Sequence, residues 1–174
     1  MLSSDVREHL ERYWQFSREF FSRGDFALAS FLSITLIEEV GKVVILGNQE
    51  LGKQLDKKGF YNHRQKYIYA VYMTLLVNSR VSRVYGDEEN QFAKWFRDNE
   101  LFNIRNWSLY LDLDKSTIIV PHKVTKRDDA FLLVCLAGEI YGEIQGSFTD
   151  TNVDEWQRIL DEIDLFRKEH SSVP

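Results

Sequence analysis

The chain has little of what builds cross-linked, extended or membrane-spanning proteins. It carries one cysteine, so no internal disulfide can form and cysteine-based zinc sites are excluded. That residue, Cys135, sits in the apolar run Phe131-Leu132-Leu133-Val134-Cys135-Leu136-Ala137, where a thiol reads as a small buried hydrophobe of a reducing compartment. Two prolines and nine glycines leave no room for collagen-like, polyproline or long flexible linker segments. The Glu-x-x-His pair by which helical bundles hold two metal ions does not occur, and neither a metal nor a cofactor is expected. The opening Met-Leu-Ser-Ser-Asp-Val-Arg-Glu lacks the apolar centre and cleavage site of a signal peptide. The most apolar stretch, Phe26 to Leu46, carries Glu38, Glu39 and Lys42, which are costly in lipid. It reads as a buried helix of a cytoplasmic protein with no membrane partner.

What is present is a globular composition: 174 residues, 44% hydrophobic and 28% charged, enough for one domain. The formal net charge of -5 does not suggest a general nucleic-acid binder, but the charge is uneven. Between Leu51 and Gly86 stand Lys53, Lys57, Lys58, Arg64, Lys66, Arg80 and Arg83 against Asp56 alone. This basic middle on an acidic body is either an anion-binding patch, with Lys53, Lys57, Lys58 and Arg64 as its candidates, or a solvated face paired with acidic neighbours.

Periodicity predicts an all-α bundle of five to six helices occupying residues 1–170, with 171–174 as a frayed tail. The first helix spans about Ser4 to Phe21, striped by Leu10, Tyr13, Phe16, Ser17 and Phe20, and Gly24-Asp25 ends it and caps the next. The second, Phe26 to Leu46, is apolar on every face and therefore central, with Gly47-Asn48 as its stop. A loop leads to a third helix, His63 to Val84. Asp87 caps a fourth, running unbroken from Glu88 to Leu111. Residues 113–121 form a loop or small hairpin. Thr125 with Asp128, and Asn152 with Glu155, resemble capping boxes for a fifth helix to Ile144 and a sixth to Glu169.

Some polar residues fall where apolar ones belong. Glu38 and Glu39 point to adjacent faces of the buried second helix, and buried carboxylates need partners. Lys42 stands four residues after Glu38, the favoured ion-pair spacing. Glu39 then needs a distant partner, with His63, Arg64, Lys66, Arg80 and Arg105 as candidates. The set Glu38, Glu39, Lys42, His63 and Lys66 is either a buried network fixing helix register or a polar pocket. A second constellation, Arg105, Asn106 and Tyr110, puts a guanidinium beside an amide and a phenol at helical spacing, a set that can hold a phosphate. The plainer alternative is a surface arginine paired with Asp112 or Glu100.

Taken together, Ile37-Glu38-Glu39-Val40-Gly41-Lys42, Phe60-Tyr61-Asn62-His63-Arg64-Gln65-Lys66 and Arg105 through Asp112 resemble the AbiV family of abortive-infection proteins, grouped with the HEPN domains. The resemblance spans roughly Phe20 to Ile144. It implies a HEPN-like helical bundle, a homodimer, and a toxin-like role in antiviral defence by arresting host growth or translation. Many HEPN proteins are metal-independent endoribonucleases whose motif is an arginine, a polar residue, three variable residues and a histidine. Arg105 and Asn106 match its start, but Tyr110 stands where the histidine belongs. An imidazole titrates near ~6.5 and a phenol near ~10, so the tyrosine is the poorer base for a 2′-hydroxyl. His63 is the conceivable substitute if it faces Arg105. The basic middle would hold flanking RNA backbone. The alternative is a non-catalytic interaction module triggered by a phage-encoded protein. An exposed Trp107 beside Arg105 would put a dimer seam at the motif. His9, His122 and His170 read as bland exposed or tail residues.

Overall fold

The computed structural model describes residues 3–50, 57–74, 79–114, 117–148 and 153–171. Among them are ten helices and one hairpin: α1 (Ser4–Ser22), α2 (Phe26–Glu50), α3 (Lys57–Tyr61), α4 (His63–Thr74), α5 (Ser79–Tyr85), α6 (Glu88–Arg97), α7 (Glu100–Leu109), β1 (Asp112–Asp114), β2 (Thr117–Ile119), α8 (Pro121–Val124), α9 (Arg127–Phe148) and α10 (Val153–His170). The all-α class is as the periodicity indicated, with a small antiparallel hairpin pairing Asp112 with Ile119 and Asp114 with Thr117.

α2 is the axis of the bundle and packs against α1, α4, α7 and α9. Its Ile34, Leu36, Ile37 and Val40 are buried, which is why no single polar face could be read from it. Asp25 caps it, its carboxylate accepting from the Leu28 N–H at 3.1 Å, after a turn through Gly24 at φ +82°. The expected stop at Gly47-Asn48 does not occur: the helix continues to Glu50.

Other expectations need correction. The buried stripe of α1 is Leu10, Trp14, Ser17 and Phe21: Leu10 and Ser17 are as expected, Trp14 and Phe21 take the places expected of Tyr13 and Phe20, and Phe16 is exposed. Trp14 fixes that register. It lies against α9 where a Cβ on Gly138 would stand 2.5 Å from its Cη2. The expected fourth helix is two helices, parted at Asp98-Asn99, where Asn99 takes φ +58°, a left-handed conformation asparagine tolerates better than most residues. Asp87 makes no side-chain cap. Thr125 does not open α9 as a capping box; its hydroxyl donates to the Pro121 carbonyl at 3.0 Å and closes α8. The Asn152 cap and residues 172–174 lie outside the described residues.

Candidate functional site

The centre of the polar cluster is Glu38. It is 4% exposed on the central helix α2, and four side chains from two other helices converge on its carboxylate. The Tyr67 hydroxyl donates to Oε1 at 2.6 Å. His63 Nδ1 lies 2.8 Å from the same oxygen. Lys66 Nζ donates to Oε2 at 3.1 Å. Arg105 Nε stands 3.4 Å from Oε1 as an ion pair, too poorly aligned to be a hydrogen bond. His63, Lys66 and Tyr67 are spaced i, i+3 and i+4 on α4 and so share one face. That face reaches Glu38 because α4 lies directly on α2: a Cβ at Gly41 would stand 2.1 Å from the Lys66 carbonyl oxygen. The glycine one turn beyond the glutamate makes the contact possible.

Burial by itself would raise the Glu38 pKa. The hydrogen bonds from Tyr67 and His63, and the Lys66 ammonium, overcome it and hold the carboxyl below its ordinary range. Burial, then the Glu38 charge, push the Tyr67 phenol far above its ordinary value, so it remains a donor. One carboxylate thus faces two permanent cations, Lys66 and Arg105. Lys66 is sealed, its side chain 5% exposed, whereas Arg105 is 21% and His63 38% exposed. The surplus positive charge therefore opens outward at Arg105, beside the partly exposed His63.

α7 positions both groups. The Arg105 guanidinium lies over the Phe31 ring at 5.2 Å, a cation–π contact. Phe102, one turn earlier on α7, packs its ring 5.3 Å from that of His63. With Nδ1 held by Glu38, His63 Nε2 has no partner among the described residues.

The pairing of Glu39 was misassigned from sequence. Lys42 bonds Glu39 at 2.6 Å, three residues away, and leaves Glu38 to the distant groups. Glu39 and Lys42 are both partly exposed and form a pair of their own beside the Glu38 cluster, with Lys42 above the Phe60 ring at 6.0 Å. Tyr110 is the capping residue of α7, with extended backbone and its amide on the Asn106 carbonyl at 2.9 Å. Its side chain is more than half exposed, and among the described residues neither its phenol nor the Asn106 amide group makes a hydrogen bond. Trp107 is 46% exposed, while Trp95 is buried. Of the basic middle, Lys58 and Arg64 are exposed, Lys66 and Arg80 turn inward, and Lys53 and the Lys57 side chain lie outside the described residues.

A second buried carboxylate lies outside the expected polar cluster. Glu139, 0% exposed on α9, receives Arg80 Nε at 2.9 Å and the Tyr85 hydroxyl at 3.0 Å, while Arg80 Nη2 reaches Asp164 on α10 at 2.9 Å. Two glutamates, Glu139 and Glu143, within the apolar stretch Phe131 to Ile144 were the available signal. Burial, then the charge on Glu139, raise the pKa of neighbouring Glu143. Cys135 is sealed nearby, its thiol pushed up by burial. His170 is no loose tail residue: it packs on Phe166 and Phe21 and meets Ser22 Oγ at 3.3 Å.

Among the described residues no group of three or more His, Cys, Asp or Glu side chains is placed to hold a metal ion. No described helix is long and apolar enough to cross a membrane. The helical bundle, with its one small hairpin, is consistent with a HEPN-like domain. A family model described as AbiV, of the HEPN group, matches residues 2–142, and the chain belongs to that family. No curated protein and no solved structure matches it.

Proposed function

We propose that this protein arrests the growth of phage-infected cells by acting on RNA, and that it grips an RNA phosphate between Arg105 and His63. One observation carries the reading. Arg105 and His63, from helices distant in the chain, meet at one buried carboxylate that cannot neutralise all the cations around it. A partly exposed guanidinium with surplus positive charge favours a phosphate.

Cleavage follows from the same groups. The Glu38 carboxylate fixes His63 through Nδ1, and the tautomer with Nδ1 protonated leaves Nε2 as a base. The 2′-hydroxyl attacks the adjacent phosphorus and its proton passes to Nε2. The 5′-oxygen leaves and takes a proton from solvent, giving a 2′,3′-cyclic phosphate. Arg105 offsets charge on the phosphoryl oxygens. His63 thereby takes the part of the histidine that Tyr110 replaces. Lys58 and Arg64 would hold flanking backbone.

The test is cleavage of total bacterial RNA by the purified chain in excess EDTA. Discrete fragments should appear, and should vanish in Arg105→Ala and His63→Gln variants whose circular dichroism is unchanged. Tyr110→Phe is the contrast, because loss of cleavage there would move the proton chemistry to the phenol. Intact RNA, together with RNA binding indifferent to Arg105, would overturn the reading.

A second reading has its own observation. Leu109, Tyr110, Leu111, Leu113 and Ile118 are all exposed around the hairpin, an apolar patch of the kind that marks a protein interface. It suits a second copy of the chain or a phage-encoded activator. Sedimentation of the purified protein, and of Leu111→Glu, separates the two: a dimer dissolved by the glutamate favours the former.

A further inference from the structure

A pocket of about 380 Å³ opens on the Arg105 helix, lined by Ile104, Trp107 and Ser108 of α7, Ile119 of β2, and Val124, Thr125, Lys126 and Asp129. Its size falls at the lower end of small-molecule sites, roughly 300–1,000 Å³. Most of its wall is apolar. Ser108 is the exception. It is 2% exposed, and no group among the described residues reaches its Oγ. A buried hydroxyl left unpaired costs free energy that a ligand able to bond it would recover. The other polar residues of the lining are Thr125, Lys126 and Asp129.

We propose that this pocket takes a nucleobase, and that it reads the base next to the phosphate held at Arg105. The inference rests on the RNA reading above and gives it a specificity element. A base is flat, so it can lie against the half-exposed Trp107 indole between the Ile104, Ile119 and Val124 side chains. Its edge carries donors and acceptors for the Ser108 hydroxyl and the Asp129 carboxylate. Lys126 supplies a cation for the attached backbone. Ser108 is three residues after Arg105 and so neighbours it on one face of the helix, and a strand can occupy both sites together.

The experiment is isothermal titration calorimetry of the whole chain with the four nucleosides and their 5′-monophosphates, on wild type, Ser108→Ala, Val124→Trp and Arg105→Ala. At least one nucleoside should bind one to one. Ser108→Ala should weaken it roughly fivefold without lowering the melting temperature, since the deleted hydroxyl bonds nothing in the free protein. Val124→Trp, at an exposed wall position, should abolish binding by filling the space. Arg105→Ala should leave nucleoside binding intact and weaken only the monophosphate. No heat with any nucleoside, or equal affinity in Ser108→Ala and Val124→Trp, would overturn the inference. So would binding of indole or phenol alone, which would mark the pocket as a seat for a partner's aromatic side chain. Nucleoside binding that depends on Ser108 in a protein that neither binds nor cleaves RNA would sustain the pocket while removing the RNA reading. Cleavage indifferent to Ser108 would do the reverse.

Discussion

Gly41 and Lys66 are in backbone contact: a β-carbon on the first would stand 2.1 Å from the carbonyl oxygen of the second. The obstacle is main chain, which cannot swing aside as a side chain can. Gly41→Ala should therefore push α4 off α2 and cost at least the ~1–3 kcal/mol typical of an overpacked core. Thermal melting should show a drop of several degrees, and His63 and Lys66 should lose their register on Glu38. Gly138→Ala, whose nearest obstacle is the Trp14 side chain, should cost stability but leave RNA cleavage at permissive temperature unchanged.

Glu38→Gln removes the one negative charge among Lys66, Arg105 and His63. Breaking a buried pair and stranding its cations costs roughly 3–5 kcal/mol. Urea denaturation should show the midpoint falling by that measure. Glu39→Gln, at the partly exposed neighbouring pair, should cost less than about 1 kcal/mol.

The pH dependence has a definite sign. Glu38 titrates lower in the folded chain than its ordinary value of 4.5. It therefore contributes stability above that ordinary value, and the contribution fades as pH falls through its lower folded value. Glu143, with its raised pKa, acts oppositely: its contribution is present below 4.5 and is lost as pH rises through its folded value. Melting temperatures measured downward from pH 6 should fall less steeply in Glu38→Gln than in wild type, and more steeply in Glu143→Gln.

Arg80→Met tests the second network. It strands Glu139 without a cation inside the bundle, so it should destabilise by roughly 3–5 kcal/mol. The double variant Arg80→Met with Glu139→Leu should recover much of the loss, because a buried pair replaced by apolar groups is often neutral. Chemical denaturation of the three proteins decides it.

The central helix was legible because Phe26 to Leu46 is apolar on every face, and the presence of polar groups within it was legible for the same reason. Which carboxylate took which partner was not. Helical spacing allows Lys42 to reach either glutamate, and the choice depends on α4, whose approach is set by Gly41 across the bundle. The break at Asn99 was hidden because the apolar pattern runs on from Phe92 and Trp95 to Leu101, and nothing local requires a left-handed residue there. Arg105 could be marked as a phosphate group from its neighbours Asn106 and Tyr110. Its true company, Glu38, Phe31 and His63, lies 42 or more residues away in the chain.

The break at Asn99 also sets when the anion site comes into being. The carboxylate at residue 38 and the imidazole at residue 63 emerge early from the ribosome, but the guanidinium and the ring of Phe102 arrive only with α7, beyond the break at Asn99. Until that short helix is made and laid across α2, His63 lacks the ring beside it and Glu38 is matched by Lys66 alone. A nascent chain thus carries most of the cluster in neutralised form, and the surplus charge appears only with α7, before α9 and α10 complete the bundle.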